Sequence, residues 1–336
     1  GVRLVVLKML PFDNKSEFQV IIDMPAGTAL EDTAQVLHEI GAYVATIPEV
    51  TNYQAYAGTA APINFNGLVR QYYLRSGSTV GDIQVNLVDK HRRSRTSHAI
   101  AVAARPGIAR IAQRFNSRVK VVELPPGPPV LAPIVAEVYG PDYPGQIAVA
   151  KQLRAAFAAT ADIVDIDDSS EVDADKIVLR VDRTKAALMG VTQRDIVAAV
   201  GLALGGENVT ALRTGTSKYE VAVQLGMPPE QRHSLERVMQ LNVRSDTGAL
   251  IALSELVRPM TAQRDKTIYH KDLLPVVYVV GDMSGRLDSP LYGMFAIRDR
   301  IVGRALEQGG TLGEYFIRQP SDRYAGYALK WDGEWQ

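Results

Sequence analysis

The sequence predicts an α+β fold in which one structural pattern is used twice and an extra lobe is set into the second copy. Two stretches carry that prediction. Residues 17–53 read EFQVIIDMPAGTALEDTAQVLHEIGAYVATIPEVTNY, and residues 134–170 read IVAEVYGPDYPGQIAVAKQLRAAFAATADIVDIDDSS. Each is an apolar strand, a Pro/Gly turn, an amphipathic helix and a second strand that starts near Ile47 or Ile163. Such a unit cannot bury its own apolar face, so a repeat of it points to layered packing. Length agrees: 336 residues, 46% of them apolar, suit roughly two domains of about 150 residues.

In the first copy, Thr28 with Glu31 three residues on predicts a capping box. Leu30, Ala34, Leu37, Ile40 and Val44 then recur at helical spacing. The complement follows as a strand over 80–88, a helix over 97–115 and a strand over 118–124. Pro106 predicts a bend in that helix, because proline removes an internal hydrogen bond. Residues 1–125 therefore read β-α-β, β-α-β, the pattern of a ferredoxin-like split sandwich.

The second copy places Pro144 at its helix start and Ile147, Ala150, Leu153 and Phe157 on the apolar stripe. Its complement comes late, as LPVVYVVG over 274–281, a helix over 289–306 opened by Ser289 and Pro290, and a strand near 327–331. Between the halves, residues 183–268 form an insertion. Thr192 and Asp195 open its helix, Gly205-Gly206 stops it, and strands are expected over 219–225, 241–243 and 250–253, with a hairpin turn over 245–248. The expected organisation is a first subdomain over 1–125, a second over 126–182 and 269–336, and the insertion over 183–268. The proline run 125–129 is a stiff spacer. Residues 57–67, AGTAAPINFNG, lack any period and read as a long mobile loop of the functional kind.

Composition excludes several function classes. Lys plus Arg equals Asp plus Glu at 37 each, so no global charge draws in nucleic acid. Without cysteine there is no thiol nucleophile and no Cys-ligated zinc. No apolar run reaches the ~18 residues of a membrane helix, so the chain as given reads as soluble, or as a soluble piece of something larger. The five histidines form no ligand pair at helical spacing. The acidic stretch 162–175 fails the calcium-loop pattern at Ser170 and Lys176 and reads as a solvated strand edge. The basic run 90–95 has no interleaved aromatics and reads as a solvated connection or a subunit contact. Gly201–Gly206 ends a helix where a phosphate site would need a beginning. No Gly-x-Ser-x-Gly elbow exists, so no catalytic, cofactor or metal residue is nominated and an enzyme is not expected. One constellation remains: Tyr53, Tyr56, Phe65, Tyr72 and Tyr73 lie in or beside the 57–67 loop, where they either line an adaptable apolar pocket or pack on the sheet.

Four segments carry a family resemblance: LPFDNKSEFQVIIDMPAGTALEDT (10–33), PPGPPVLAPIVAEVYGPDY (125–143), KIVLRVDRTKAALMGVTQRDIVAAVGLALGGENV (176–209) and YALKWDGEWQ (327–336). In this order they resemble the second large periplasmic loop, between membrane helices 7 and 8, of resistance–nodulation–division (RND) efflux transporters. The resemblance implies two ferredoxin-like porter subdomains, a docking subdomain inserted into the second, and stubs at 4–8 and 331–336 leading to membrane helices. It implies a trimeric, proton-driven pump of a bacterial inner membrane, with the docking subdomain facing a periplasmic adaptor and an outer-membrane channel. The isolated chain would be a monomer or weak oligomer.

Loop 57–67 takes the place of the family's gating loop, with Gly58, Pro62, Asn64 and Gly67 along it and Tyr53, Tyr56 and Phe65 as pocket aromatics. The strand with Ile134, Ala136 and Val138 resembles the one at the family's entrance pocket, without the aromatics of many drug pumps. Val20 and Pro125 stand about where the heavy-metal branch carries methionines, so soft ligands are not in place. Amphiphilic organic cargo is the favoured expectation. A heavy-metal pump, a free-standing ferredoxin-like small-molecule sensor and a purely structural channel adaptor are the alternatives.

Overall fold

A computed structural model of the chain describes residues 13–124, 130–285 and 289–335. Alternation builds the first sheet. In β1 (Glu17–Asp23), Phe18, Val20 and Ile22 turn to one side and meet the stripes of α1 (Leu30–Val44) and α3 (Ser97–Arg114). Between those helices run β2 (Val50–Thr59), α2 (Phe65–Val69) and β3 (Ser76–Leu87), and β4 (Arg118–Val122) follows. The strand order is β2-β3-β1-β4, antiparallel throughout, so the two strand–helix–strand units interleave.

One local expectation needs correction. Helix α1 starts with Ala29 as its cap, and the Thr28 hydroxyl donates instead to the Pro25 carbonyl at 2.7 Å, closing the turn before the helix. Pro106 sits inside an unbroken α3. The hydrogen bond it forfeits is that of Val102, four residues back on the exposed face.

The chain continues as β5 (Ile134–Tyr139), α4 (Tyr143–Ala158) and β6 (Ile163–Asp168). Asp142 caps α4 by accepting from the Gly145 N–H at 2.8 Å. A separate compact unit, Asp173–Asp265, then intervenes. It holds β7 (Asp175–Val181), α5 (Arg183–Leu188), α6 (Gln193–Gly205), β8 (Glu207–Leu212), β9 (Val221–Leu225), α7 (Pro229–Arg232), α8 (Leu235–Met239), β10 (Asn242–Arg244), β11 (Leu250–Ala252), α9 (Leu253–Leu256) and β12 (Val257–Gln263). It begins ten residues before the expected 183 because β7 pairs along its whole length with β12. Thr192 and Asp195 form the capping box of α6, and Gly206 stops it at a φ of 74°. Its core gathers Ala186, Val191, Ile196, Val238, Val243, Leu253, Leu256 and Val257.

The second sheet resumes with β13 (Tyr269–Lys271), β14 (Leu274–Met283), α10 (Pro290–Ile301), β15 (Gly313–Tyr315) and β16 (Ala328–Gly333). Strand β14 lies between β6 and β5, and β5 between β14 and β16, the same interleaving as in the first sheet. Ile134, Ala136 and Val138 face Val149, Leu153, Phe157, Met294 and Ile297 of the two helices. Trp331 ends the strand that the sequence predicts near 327–331 and begins the stub that the resemblance implies. It lies on β16 with no exposure, and its indole N–H donates to Glu314 Oε1 at 2.9 Å. The spacer 125–129 and the stub 4–8 lie outside the described residues.

Candidate functional site

The face of the first sheet turned away from its helices is polar, yet much of it is buried. Gln19 is 1% exposed and Asp82 not at all. The chain from Ala60 to Arg75 lies over this face as a strap, tied by three side-chain links. The Ala61 N–H donates to Asp82 Oδ2 at 3.0 Å. Asn64 Nδ2 donates to Gln84 Oε1 at 3.1 Å, while Asn64 Oδ1 caps α2 by accepting from the Gly67 N–H at 2.7 Å. At the far end, Arg75 Nη2 donates to the Ile22 carbonyl at 2.7 Å and to Asp23 Oδ1 at 2.5 Å.

Residues 57–67 are therefore not a long mobile loop. They comprise the end of β2, a short connection and the first turn of α2, all pinned to the sheet. Gly58 makes the exit from β2 at a φ of 73°, a region that L side chains avoid. The strap turns Asn66 and Arg70 inward, while Ile63, Phe65, Leu68, Tyr73 and Leu74 remain exposed.

A line of charges runs from the strap to the second sheet. Asp23, which holds Arg75, also has Lys120 Nζ at 3.7 Å from its other oxygen. Lys120 in turn pairs with Asp167 on β6, and Arg118 donates to the same carboxylate at 3.0 Å. Burial alone would raise the Asp167 carboxyl, but Lys120 and Arg118 outweigh it and hold it below the ordinary carboxylate range. Beside them, Arg105 of α3 donates to Asp165 Oδ2 and to the Val121 carbonyl, both at 2.7 Å.

Within the acidic stretch expected to be solvated, Asp165, Asp167 and Asp168 instead form a largely buried seam, while Asp162, Asp173 and Asp175 are exposed as expected. The side chains of Asp165 and Asp167 are 14% and 15% exposed, and Arg154 engages Asp168 from α4 at 2.7 Å. In the basic run Lys90, His91 and Arg92 are exposed as a solvated connection would be, while Arg93 and Arg95 staple the chain internally. Arg93 donates to the Val88, Arg95 and Lys15 carbonyls, and Arg95 forks onto both oxygens of Glu49.

The structure divides the sequence-nominated residues. Tyr56 stands on the outer face opposite Asp82 in register, with its hydroxyl donating to Gln54 Oε1 at 3.3 Å. Phe65 sits on the strap and Tyr72 beside Arg75, whose guanidinium carbon is 5.8 Å from the ring centroid. Gly58, Pro62, Asn64 and Gly67 mark the strap's course. Tyr53 turns the other way and packs on the helix side of the sheet, against Gly41. Ile134, Ala136 and Val138 are buried beneath α4 and α10, so β5 offers none of the three to a cleft. Sequence reasoning passed over Gln19, Asp82, Arg75 and Arg105. The visible signal for the acid was the alternation Asp82-Ile83-Gln84-Val85-Asn86-Leu87, which puts polar residues on one face of a strand.

Comparison with known proteins places this architecture. Residues 4–290 match the model of the AcrB/AcrD/AcrF family. The multidrug resistance protein MdtC of Erwinia tasmaniensis is 22% identical over 122 residues, 36% of this chain and 12% of that protein. MdtC of Erwinia amylovora is 22% identical over 125 residues, 37% of this chain and 12% of that protein. Among solved structures, two crystal forms of a heavy metal efflux pump superpose with TM-scores of 0.72 and 0.71, at 18% and 17% identity. They match 99% and 98% of this chain, which spans about a third of their length, 32% and 31%. At that identity the likeness shows the fold. The chain belongs to the AcrB/AcrD/AcrF family, which are RND efflux transporters. Among the described residues, no helix is long and apolar enough to cross a membrane, and no group of three or more His, Asp or Glu is placed to hold a metal ion.

Proposed function

We propose that this chain is the periplasmic porter and docking portion of a proton-driven RND pump that exports amphiphilic organic compounds. Its two sheets with their helices act as ferredoxin-like porter subdomains, and Asp173–Asp265 as the docking subdomain. The observation that carries the cargo assignment is the strap. It is pinned at both ends, presents Ile63, Phe65, Leu68, Tyr73 and Leu74 outward, and contains no Met, Cys or His between residues 60 and 75. Apolar and aromatic groups recognise amphiphiles, whereas soft metal ions need thioether, thiolate or imidazole donors. Tyr56, Phe65 and Tyr72 are the aromatic contacts, and Gly58, Pro62, Asn64 and Gly67 shape the gate. The line of charges from Arg75 to Asp167 lets a movement of the second subdomain reach the strap.

Docking finds support in the β8–β9 ribbon, which leaves Val209, Leu212, Val221, Val223 and Leu225 exposed. An apolar ribbon of this kind suits a protein partner, in this reading the adaptor or the outer-membrane channel. Two further protomers complete the working pump.

The test uses the full-length transporter in a bacterial strain stripped of its own RND pumps. Efflux of Nile red, an amphiphilic dye, is expected, and Phe65→Ala with Leu68→Ala is expected to weaken it severalfold at unchanged expression. Protection against silver or copper with no Nile red efflux would overturn the cargo assignment.

A further inference from the structure

The front end of the strap is held by a group belonging to the sheet. Asp82 occupies the middle of the outer face, opposite Ile21 on β1 and Tyr56 on β2. It is wholly buried, and burial pushes its carboxyl up despite the Ala61 N–H, the Gln19 amide and the more distant charge of Arg75. A buried acid in a sheet is expensive unless its hydrogen bonds are met. Here they are met by Gln19 Nε2, at 2.8 and 2.7 Å from the two oxygens, and by a single main-chain donor, the Ala61 N–H. That donor lies just beyond the last ladder pair of β2, Thr59↔Ser76. The residue after it is Pro62, which has no N–H to offer. Sliding the strap forward by one residue would therefore leave the carboxylate without its main-chain partner. Proline thus blocks the register in that direction.

We propose that Asp82 is the positioning residue of the strap, oriented by Gln19, fixing where the chain leaves the sheet and so where Phe65 and its neighbours point. The inference rests on the reading of the strap as the substrate-contact element. With its NH2 turned to both Asp82 oxygens, Gln19 leaves its own Oε1 buried without a partner. An amide turned over at this position would meet a donor on residue 82, so asparagine can replace the acid: its Oδ1 takes the Ala61 N–H while its NH2 faces the turned Gln19 oxygen.

The test places a nitroxide on Phe65→Cys, the sole cysteine of this chain, and reads its mobility by electron paramagnetic resonance. Asp82→Ala is expected to free the label, and Asp82→Asn to leave it as in the parent. In the full-length pump, Asp82→Ala should raise the half-saturating Nile red concentration on the order of tenfold, the scale of one lost hydrogen bond, with maximal efflux changed far less. Should Asp82→Ala fail to fold, Ala61→Pro, which deletes the donor and leaves the sheet intact, is read in its place with the same expectation. A label as immobile in the tether-less variant as in the parent overturns the proposal, and so does one equally mobile in the alanine and asparagine variants. A freed label with unchanged half-saturation upholds the tether and removes the strap from substrate contact.

Discussion

Replacing Asp282 with asparagine should make the protein more stable at neutral pH. Asp282 lies on β14, 9% exposed, with its Oδ1 accepting from the Met283 N–H at 2.7 Å. Burial pushes its carboxyl from 3.8 up to about 6. Arg70 and Arg105 pull the other way without prevailing, and Asp165 adds repulsion. The direction fixes the sign. A carboxyl that holds its proton more tightly when folded than when unfolded is a penalty once ionised. The penalty is nearly absent below the unfolded value, grows as pH rises between about 4 and 6, and is complete above.

The full shift is worth about 3 kcal/mol at about pH 7.5 and about 1 kcal/mol at about pH 4.5. Asparagine keeps the Met283 hydrogen bond and carries no charge. Asp282→Asn should therefore gain on the parent by about 2 kcal/mol more at the higher pH. Urea unfolding followed by tryptophan fluorescence is the assay. Both tryptophans, Trp331 and Trp335, lie outside the inserted unit, so the signal follows the unit that holds Asp282. An asparagine variant less stable than the parent at about pH 7.5 would show that Arg70 and Arg105 attract the ionised acid more than burial penalises it, and would refute the reasoning.

Two further outcomes can be read by the same unfolding assay. Asp165→Ala leaves the Arg105 guanidinium, 14% exposed, without its carboxylate, and should lose about 3–5 kcal/mol. Arg105→Met with Asp165→Leu should recover most of that, and a loss below about 1 kcal/mol for the single change would contradict the seam's burial. At Gly293 in α10, a Cβ would lie 2.6 Å from Met283 Sδ and 2.8 and 2.9 Å from the Cδ1 atoms of Ile134 and Ile163. Overpacking of about 1–3 kcal/mol should exceed the helix-propensity gain of about 1 kcal/mol, making Gly293→Ala a net loss. A stabilised variant would mean that the core yields there.

The repeat was legible because each helix stripe, such as Leu37, Ile40 and Val44, has a strand alternation to meet, such as Phe18, Val20 and Ile22. The insertion was legible because the pattern that follows the first copy at once follows the second only after residue 273. What escaped was set by partners far along the chain. Asp165 and Asp167 look like solvated charges until Arg105 and Lys120 come up from 60 and 47 residues away. The 57–67 segment looks free until Asp82 and Gln84 are seen beneath it, 21 and 20 residues further on. Strand β5 has burial on every residue, so alternation could not say which side chains face a cleft. Thr28 misled because a hydroxyl before a helix can serve the preceding turn as readily as the helix itself.

The position of the insertion also sets a timetable for synthesis. Strand β5 ends at Tyr139, and the first strand that pairs with it begins at Leu274. Its other neighbour, β16, emerges later still. At translation speeds of about 5–20 residues per second, both flanks of β5 stay bare for on the order of ten seconds while the rest of the chain is made. Over that interval the first sheet can already close, while an apolar strand without its partners depends on chaperones or on quick folding of the intervening lobe to avoid pairing with the edge of another chain.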